Sequence, residues 1–139
     1  MTPAGYECLR LAPSTQMVLP LMLGHQCGQA FRWRAVATRC LPDGQVHIEW
    51  SLCLPHRVVF LIHDPVQHCL YHRTVYAQDQ KTQITTEEWL RDYLNLSVPI
   101  EEWYKDWCTR DPIFAKHARR FAGVHMLRQD PWECLCAYV

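Results

Sequence analysis

The feature that most narrows the possible folds is a change of hydrophobic period partway along the chain. From Tyr6 to Tyr76 apolar residues fall in short runs divided by turn chemistry, and from Thr85 to Val139 they recur at helical spacing. The runs expected to be strands are 17–23, 29–36, 46–54, 57–62 and 67–76. Between them lie Gly24 and Gly28, the turn Pro42-Asp43-Gly44, the break Pro55-His56 and the turn Asp64-Pro65. Parallel pairing needs long crossovers, which these turns do not provide. The first half is therefore expected to be a twisted antiparallel sheet, and the whole an α+β fold.

The second half reads as a series of capped helices. Thr85 and Glu88 have capping-box spacing, and Trp89, Leu90, Tyr93 and Leu94 follow at helical intervals, with Asn95 at the end. A short helix follows Pro99, with Ile100, Trp103, Tyr104 and Trp107 on one side. Asp111-Pro112 supplies an N-cap and a proline at the first helical position for a third, in which Ile113, Phe114, His117 and Phe121 share a face and which Gly123 terminates. Asp130-Pro131 repeats the device, with Glu133 placed to complete the cap. This last helix is expected to run into Val139, leaving Trp132, Leu135, Cys136 and Val139 as an apolar stripe with nothing to cover it. The expectation is a fragment that lacks its helical partner and self-associates through this stripe.

Length and composition set further bounds. The chain has 139 residues, 49% of them hydrophobic and 20% charged, which suits one domain with a sizeable core. Fourteen Lys plus Arg balance fourteen Asp plus Glu, so no overall basic footprint points to nucleic acid. The longest apolar runs, such as 58–62, are far short of a membrane-spanning helix. Eight cysteines form no C-x-x-C pair, and no secretory signal precedes them. They are read as buried free thiols in a reducing, intracellular setting.

Candidate chemistry is sparse. His63, His68, Cys69 and His72 are close in sequence, but strand alternation sends His68 and His72 to one face and Cys69 to the other, so no metal is expected. Cys134 and Cys136 diverge by about 200° on a helix and cannot chelate together. Lys116, Arg119, Arg120 and Arg128 form the one basic concentration. A solvated helix face accounts for them; contact with DNA phosphates is the alternative. Lys81, Lys105 and Lys116 all sit among polar neighbours, unlike an activated nucleophile. The segment 28–33, Gly-Gln-Ala-Phe-Arg-Trp, is by itself a turn leading into a strand whose aromatic rings fill a core. In that strand Gln29, Phe31 and Trp33 face one way and Ala30 and Arg32 the other. Its opening glycine also permits positive φ and close approach by a ligand.

That segment, together with Gly-Val-His-Met-Leu-Arg-Gln-Asp-Pro-Trp-Glu-Cys-Leu at 123–135, resembles the N-terminal part of eukaryotic 8-oxoguanine DNA glycosylases. Thr74-Val-Tyr76 and the run from Trp89 to Phe121 extend the resemblance over 19–139. It implies a curved antiparallel sheet with helices, similar to the TATA-binding-protein fold, over 1–123. It also implies that 124–139 begins a helical domain carrying a helix-hairpin-helix. Members of the family flip 8-oxoguanine out of duplex DNA, where it lies opposite cytosine. They cut its glycosidic bond with a lysine amine and then cleave the abasic site through a Schiff base, helped by an aspartate.

The resemblance gives Gly28 a role. The lesion carries an N–H at N7 where guanine has a lone pair, so a carbonyl fixed there accepts a hydrogen bond from the one and repels the other. Phe31 matches a residue near the pocket, and Phe31 and Trp33 would anchor the backbone that aims the carbonyl. Ala30 stands where relatives commonly carry a hydroxyl residue, and Cys136 replaces an aromatic. The asparagine-rich loop that holds the cytosine, the hairpin, the lysine and the aspartate would all lie beyond Val139, so no catalytic residue is assigned and the chain is expected to be inactive alone. The resemblance further implies no cofactor, no membrane, a monomer at full length and a nuclear and mitochondrial location. The other reading is a non-catalytic module that binds DNA or a protein.

Overall fold

Among the described residues five strands pair antiparallel throughout, in the order β1-β5-β4-β3-β2. They are β1 (Glu7–Arg10), β2 (Arg34–Cys40), β3 (Val46–Leu54), β4 (Arg57–Asp64) and β5 (Cys69–Tyr76). The helices are α1 (Leu19–Leu23), α2 (Thr86–Tyr93), α3 (Ile100–Arg110), α4 (Pro112–Phe121) and α5 (Pro131–Ala137). The structure is a computed structural model that describes residues 2–24, 28–76 and 84–137. The result is the expected α+β fold with a curved antiparallel sheet.

Strand alternation gives the sheet two unlike faces. Leu9, Trp50, Leu52, Val59, Leu61 and Leu70 join Leu19, Met22 and Leu23 of α1, Leu90 and Tyr93 of α2, and Trp33 in the main core. Each fully buried leucine there contributes about 1.5–3 kcal/mol. On the other face a smaller cluster gathers Leu41, Ile62, Cys69 and Tyr71, flanked by Tyr6 and Cys8.

The local signals for helix starts are met. Thr85 accepts from the Glu88 N–H while the Glu88 carboxylate accepts from the Thr85 N–H, and Asn95 closes the turn at φ 56°. Asp111 Oδ1 accepts from Ile113 and Phe114 N–H at 2.7 and 3.0 Å. Asp130 Oδ1 accepts from Glu133 N–H at 3.0 Å, but the Glu133 side chain turns to Arg32 instead of completing the cap. Helices α3 and α4 pack through Tyr104, Trp107 and Phe114, with ring centroids 5.4–5.7 Å apart. Trp103, Ile113 and Phe121 remain exposed.

Four expectations are corrected. The run 17–23 is not a strand: it is apolar without alternation, and Pro20 fits the first turn of α1. Strand β2 begins at Arg34, not at 29, because residues 28–32 form a bend held by side-chain bonds. As a result Phe31 is 43% exposed and only Trp33, at 1%, is an anchor. Strand β5 begins at Cys69, since His68 has φ 48°. The described cysteines are not buried free thiols. Cys8 and Cys69 form a disulfide across β1 and β5, and the described free cysteines at 40, 53, 108, 134 and 136 are exposed or half-buried.

His72 is buried on the core face, and among the described residues no group of three His, Cys, Asp or Glu side chains is placed to hold a metal. No described helix is long and apolar enough to cross a membrane. Cys27, Lys81 and Val139 lie outside the described residues. Trp132, Leu135 and Cys136 are exposed on α5, as the stripe requires.

Candidate functional site

Gly28 has φ +68°, a conformation that disfavours any side chain, and among the described residues a Cβ added there would meet nothing within 4 Å. Conformation and open space therefore both mark this backbone as approachable. The next residue fixes it. The Gln29 side chain donates from Nε2 to the His125 carbonyl at 3.1 Å and accepts from Leu127 N–H at 3.0 Å. The Gln129 side chain donates back to the Gln29 carbonyl. One glutamine thus serves as an extra rung between the 28–33 bend and the segment 124–130.

That segment is itself pinned from behind. Val18 N–H donates to the Gly123 carbonyl at 3.1 Å, and a Cβ on Gly123, at φ +86°, would stand 2.9 Å from the Met17 nitrogen. Only glycine allows both that φ and that approach. His125 is 3% exposed, and its Nε2 lies 3.0 Å from the Gln16 carbonyl oxygen. Arg128 N–H donates to the Tyr93 carbonyl at 2.8 Å, tying the segment to α2.

Ala30 is buried, at 2% exposure. The Trp33 indole N–H donates to the Tyr93 hydroxyl at 3.0 Å. Burial, against the Trp33 bond, pushes the Tyr93 phenol up to about 12, so it stays protonated at neutral pH. Arg32 spans the far side, bonded to Glu133 Oε2 at 2.8 Å and to the Cys53 carbonyl.

Between the bend and α5 opens a cleft of about 410 Å3. Phe31 and Met126 form apolar walls, Gln29, Gln129, Arg32 and Glu133 offer polar groups, and Cys134 and Cys136 lie on the helix side. The described lysines, Lys105 and Lys116, are exposed on α3 and α4 and do not line the cleft.

The expected site residues separate. Phe31 lines the cleft and Gly28 immediately precedes it. Arg128 is engaged by Asp92 at 2.7 Å and Asn95 at 3.2 Å, whereas Arg119 and Arg120 are exposed on the last turn of α4. The three arginines do not join the cleft. Sequence reasoning missed Gln29, His125, Gln129 and the Arg32–Glu133 pair. Their only trace is that they fall inside the blocks 28–33 and 123–135.

The chain matches the family model described as 8-oxoguanine DNA glycosylase, N-terminal domain, over residues 10–135. It is 30% identical over 129 residues to a protein of Arabidopsis thaliana named N-glycosylase/DNA lyase OGG1, covering 90% of this chain and 30% of that relative. The chain thus spans about 30% of the relative's length. The bend 28–33 and the segment 124–130 both fall within the matched span, and the chain belongs to the family of 8-oxoguanine DNA glycosylase N-terminal domains.

Proposed function

We propose that this chain provides the lesion-reading wall of a base-excision-repair DNA glycosylase, with Gly28 presenting its carbonyl to N7–H of a flipped 8-oxoguanine and Phe31 bordering the base. The observation that carries the reading is the Gln29 lock. It holds the bend rigidly to the segment leading into α5 while leaving Gly28 open on one side. A carbonyl held this way gains a bond with the lesion and faces a lone pair with guanine. The unpaired acceptor costs about 1–3 kcal/mol, or about 5- to 150-fold in discrimination.

The rest of the reaction belongs to a longer protein. Residues 124–139 begin a helical part that brings the amine nucleophile, the assisting aspartate and the contacts to the opposite cytosine. The glycosylase and lyase steps require that part, and the 139-residue chain alone is inactive. The substrate is duplex DNA with 8-oxoguanine opposite cytosine, met in the nucleus and mitochondrion, and Arg119 and Arg120 are the phosphate contacts in reserve.

The test mixes the chain with a helical half taken from the Arabidopsis relative and follows release of 8-oxoguanine and borohydride trapping. We expect neither from the chain alone and both from the mixture, with preference over a guanine duplex. Release or trapping by the chain alone would sink the division of labour. Equal, salt-sensitive affinity for lesion and normal duplexes, with no gain on mixing, would favour a non-catalytic DNA-binding module instead.

A further inference from the structure

The sheet face turned away from the main core carries a larger cavity, about 620 Å3, that the repair reading leaves unused. At its base Glu49 of β3 is almost wholly buried, its side chain 2% exposed. It accepts from Arg39 Nε at 2.6 Å and from the Tyr6 hydroxyl, and Arg73 Nη2 stands 3.8 Å away. The Arg73 guanidinium lies 4.0 Å from the centre of the Phe60 ring and 5.6 Å from that of Tyr6. Burial opposes ionisation of Glu49, but the Arg39 and Tyr6 bonds and the charges of both arginines outweigh it, and the carboxyl titrates below its ordinary value.

The charges at this site do not cancel. Two guanidinium groups meet one carboxylate, and Arg39 and Arg73 both line the cavity, 53% and 33% exposed. Asp43, in the turn bordering it, is taken up by Gln45 N–H at 2.8 Å and His47 Nε2 at 3.0 Å. The rest of the described lining is mostly apolar, Pro3, Ala4, Tyr6, Leu41, Pro42 and Ile62 with Thr2 and Cys40, and holds no acidic group to offset the surplus positive charge. Each guanidinium presents a planar fork of donors, and Glu49 and the aromatic rings hold both forks in place before any ligand arrives.

We propose that this cavity binds a small organic phosphate of the nucleoside monophosphate class. The phosphate is taken by Arg39 and Arg73, and the flat ring lies against Tyr6, Pro3 and Pro42. A volume of about 620 Å3 lies within the range of small-molecule sites, about 300–1,000 Å3. The site is separate from the cleft at Gly28 and shares no lining residue with it.

Calorimetric titration of the 139-residue chain tests this with three probes: AMP, adenosine and inorganic phosphate. We expect saturable one-to-one binding of AMP and weaker binding of both fragments. Arg39→Gln and Arg73→Gln should each weaken AMP by about tenfold or more, and Arg73→Lys, which keeps the charge over Phe60, by less. In the unsubstituted chain, AMP should shift the amide resonances of Tyr6, Leu41 and Ile62, a readout that does not depend on the variants folding. The proposal is overturned by the absence of saturable AMP binding up to about 10 mM, by adenosine binding as tightly as AMP, or by AMP shifts confined to residues outside the cavity.

Discussion

At the scale of single residues, the cleft depends on Gln29 more than on the glycine before it. Gln29→Ala removes a donor to the His125 carbonyl and an acceptor for Leu127 N–H, so it should lower stability by about 1–3 kcal/mol in urea unfolding. In the reconstituted enzyme it should lower lesion preference with it. Gly28→Ala meets no atom of the described residues within 4 Å and should cost only the strain of φ +68°, about 1–2 kcal/mol. A larger loss would mean that the bend is packed more tightly than its open side indicates. Gly28 drew notice only through the family resemblance, because a glycine before an aromatic-basic run is ambiguous by itself. Gln29 drew none, because its partners lie close to a hundred residues away and nothing local to it differs from an ordinary polar strand position. His63 adds a pH effect. Burial lowers its pKa to about 4, His47 and His68 push the same way, and Asp64 opposes. An unfolded histidine titrates near 6.5. The unfolded chain therefore binds the extra proton between these values, and stability, complete above about 6.5, is lost as pH falls toward about 4. Unfolding midpoints from pH 7 to pH 4 should fall less steeply in His63→Gln, with a residual slope from buried His72, whose pKa is lowered too.

At the scale of elements, what could be read in advance was set by interactions between residues a few positions apart. Capping depends on contacts two or three residues on, so Thr85, Asp111 and Asp130 could be placed without the fold. Removing the cap hydroxyl in Thr85→Ala should cost about 0.5–2 kcal/mol, seen as a lower thermal midpoint with an unchanged far-UV spectrum below it. An unchanged midpoint would show that packing of Leu90 and Tyr93 alone holds α2 in place. The apolar run 17–23 was misread for the complementary reason. A short apolar stretch has the same composition in a buried helix and a buried strand, and the choice is made by tertiary packing of Leu19, Met22 and Leu23 on the sheet. The delayed start of β2 has the same origin, since bonds from the distant 125–129 segment hold residues 28–32 away from the ladder.

At the scale of the whole molecule, the chain closes on itself through β1, a strand at the sheet edge that pairs with β5 across some sixty residues of sequence. That pairing sets Cys8 opposite Tyr71 and Arg10 opposite Cys69, bringing the two cysteines to neighbouring positions on one face. Their spacing in sequence carries no sign of this, which is why free thiols were the natural expectation. The bond tethers β1, which among the described residues is the only strand that joins the sheet from before α1. Residues 11–18, which follow that strand, include the backbone that receives His125 and Gly123. Cross-linking positions separated by 61 residues removes about 4 kcal/mol of loop-closure freedom from the unfolded chain, and measured effects commonly fall at about 2–4 kcal/mol. Cys8→Ser, or a dithiol reductant added to the unsubstituted chain, should therefore lower unfolding stability by about 2–4 kcal/mol. Because the 11–18 backbone rests on 123–125, reduction should also speed amide exchange at Leu127 and Gln29. Faster exchange confined to β1 would show instead that the edge strand opens without disturbing the cleft.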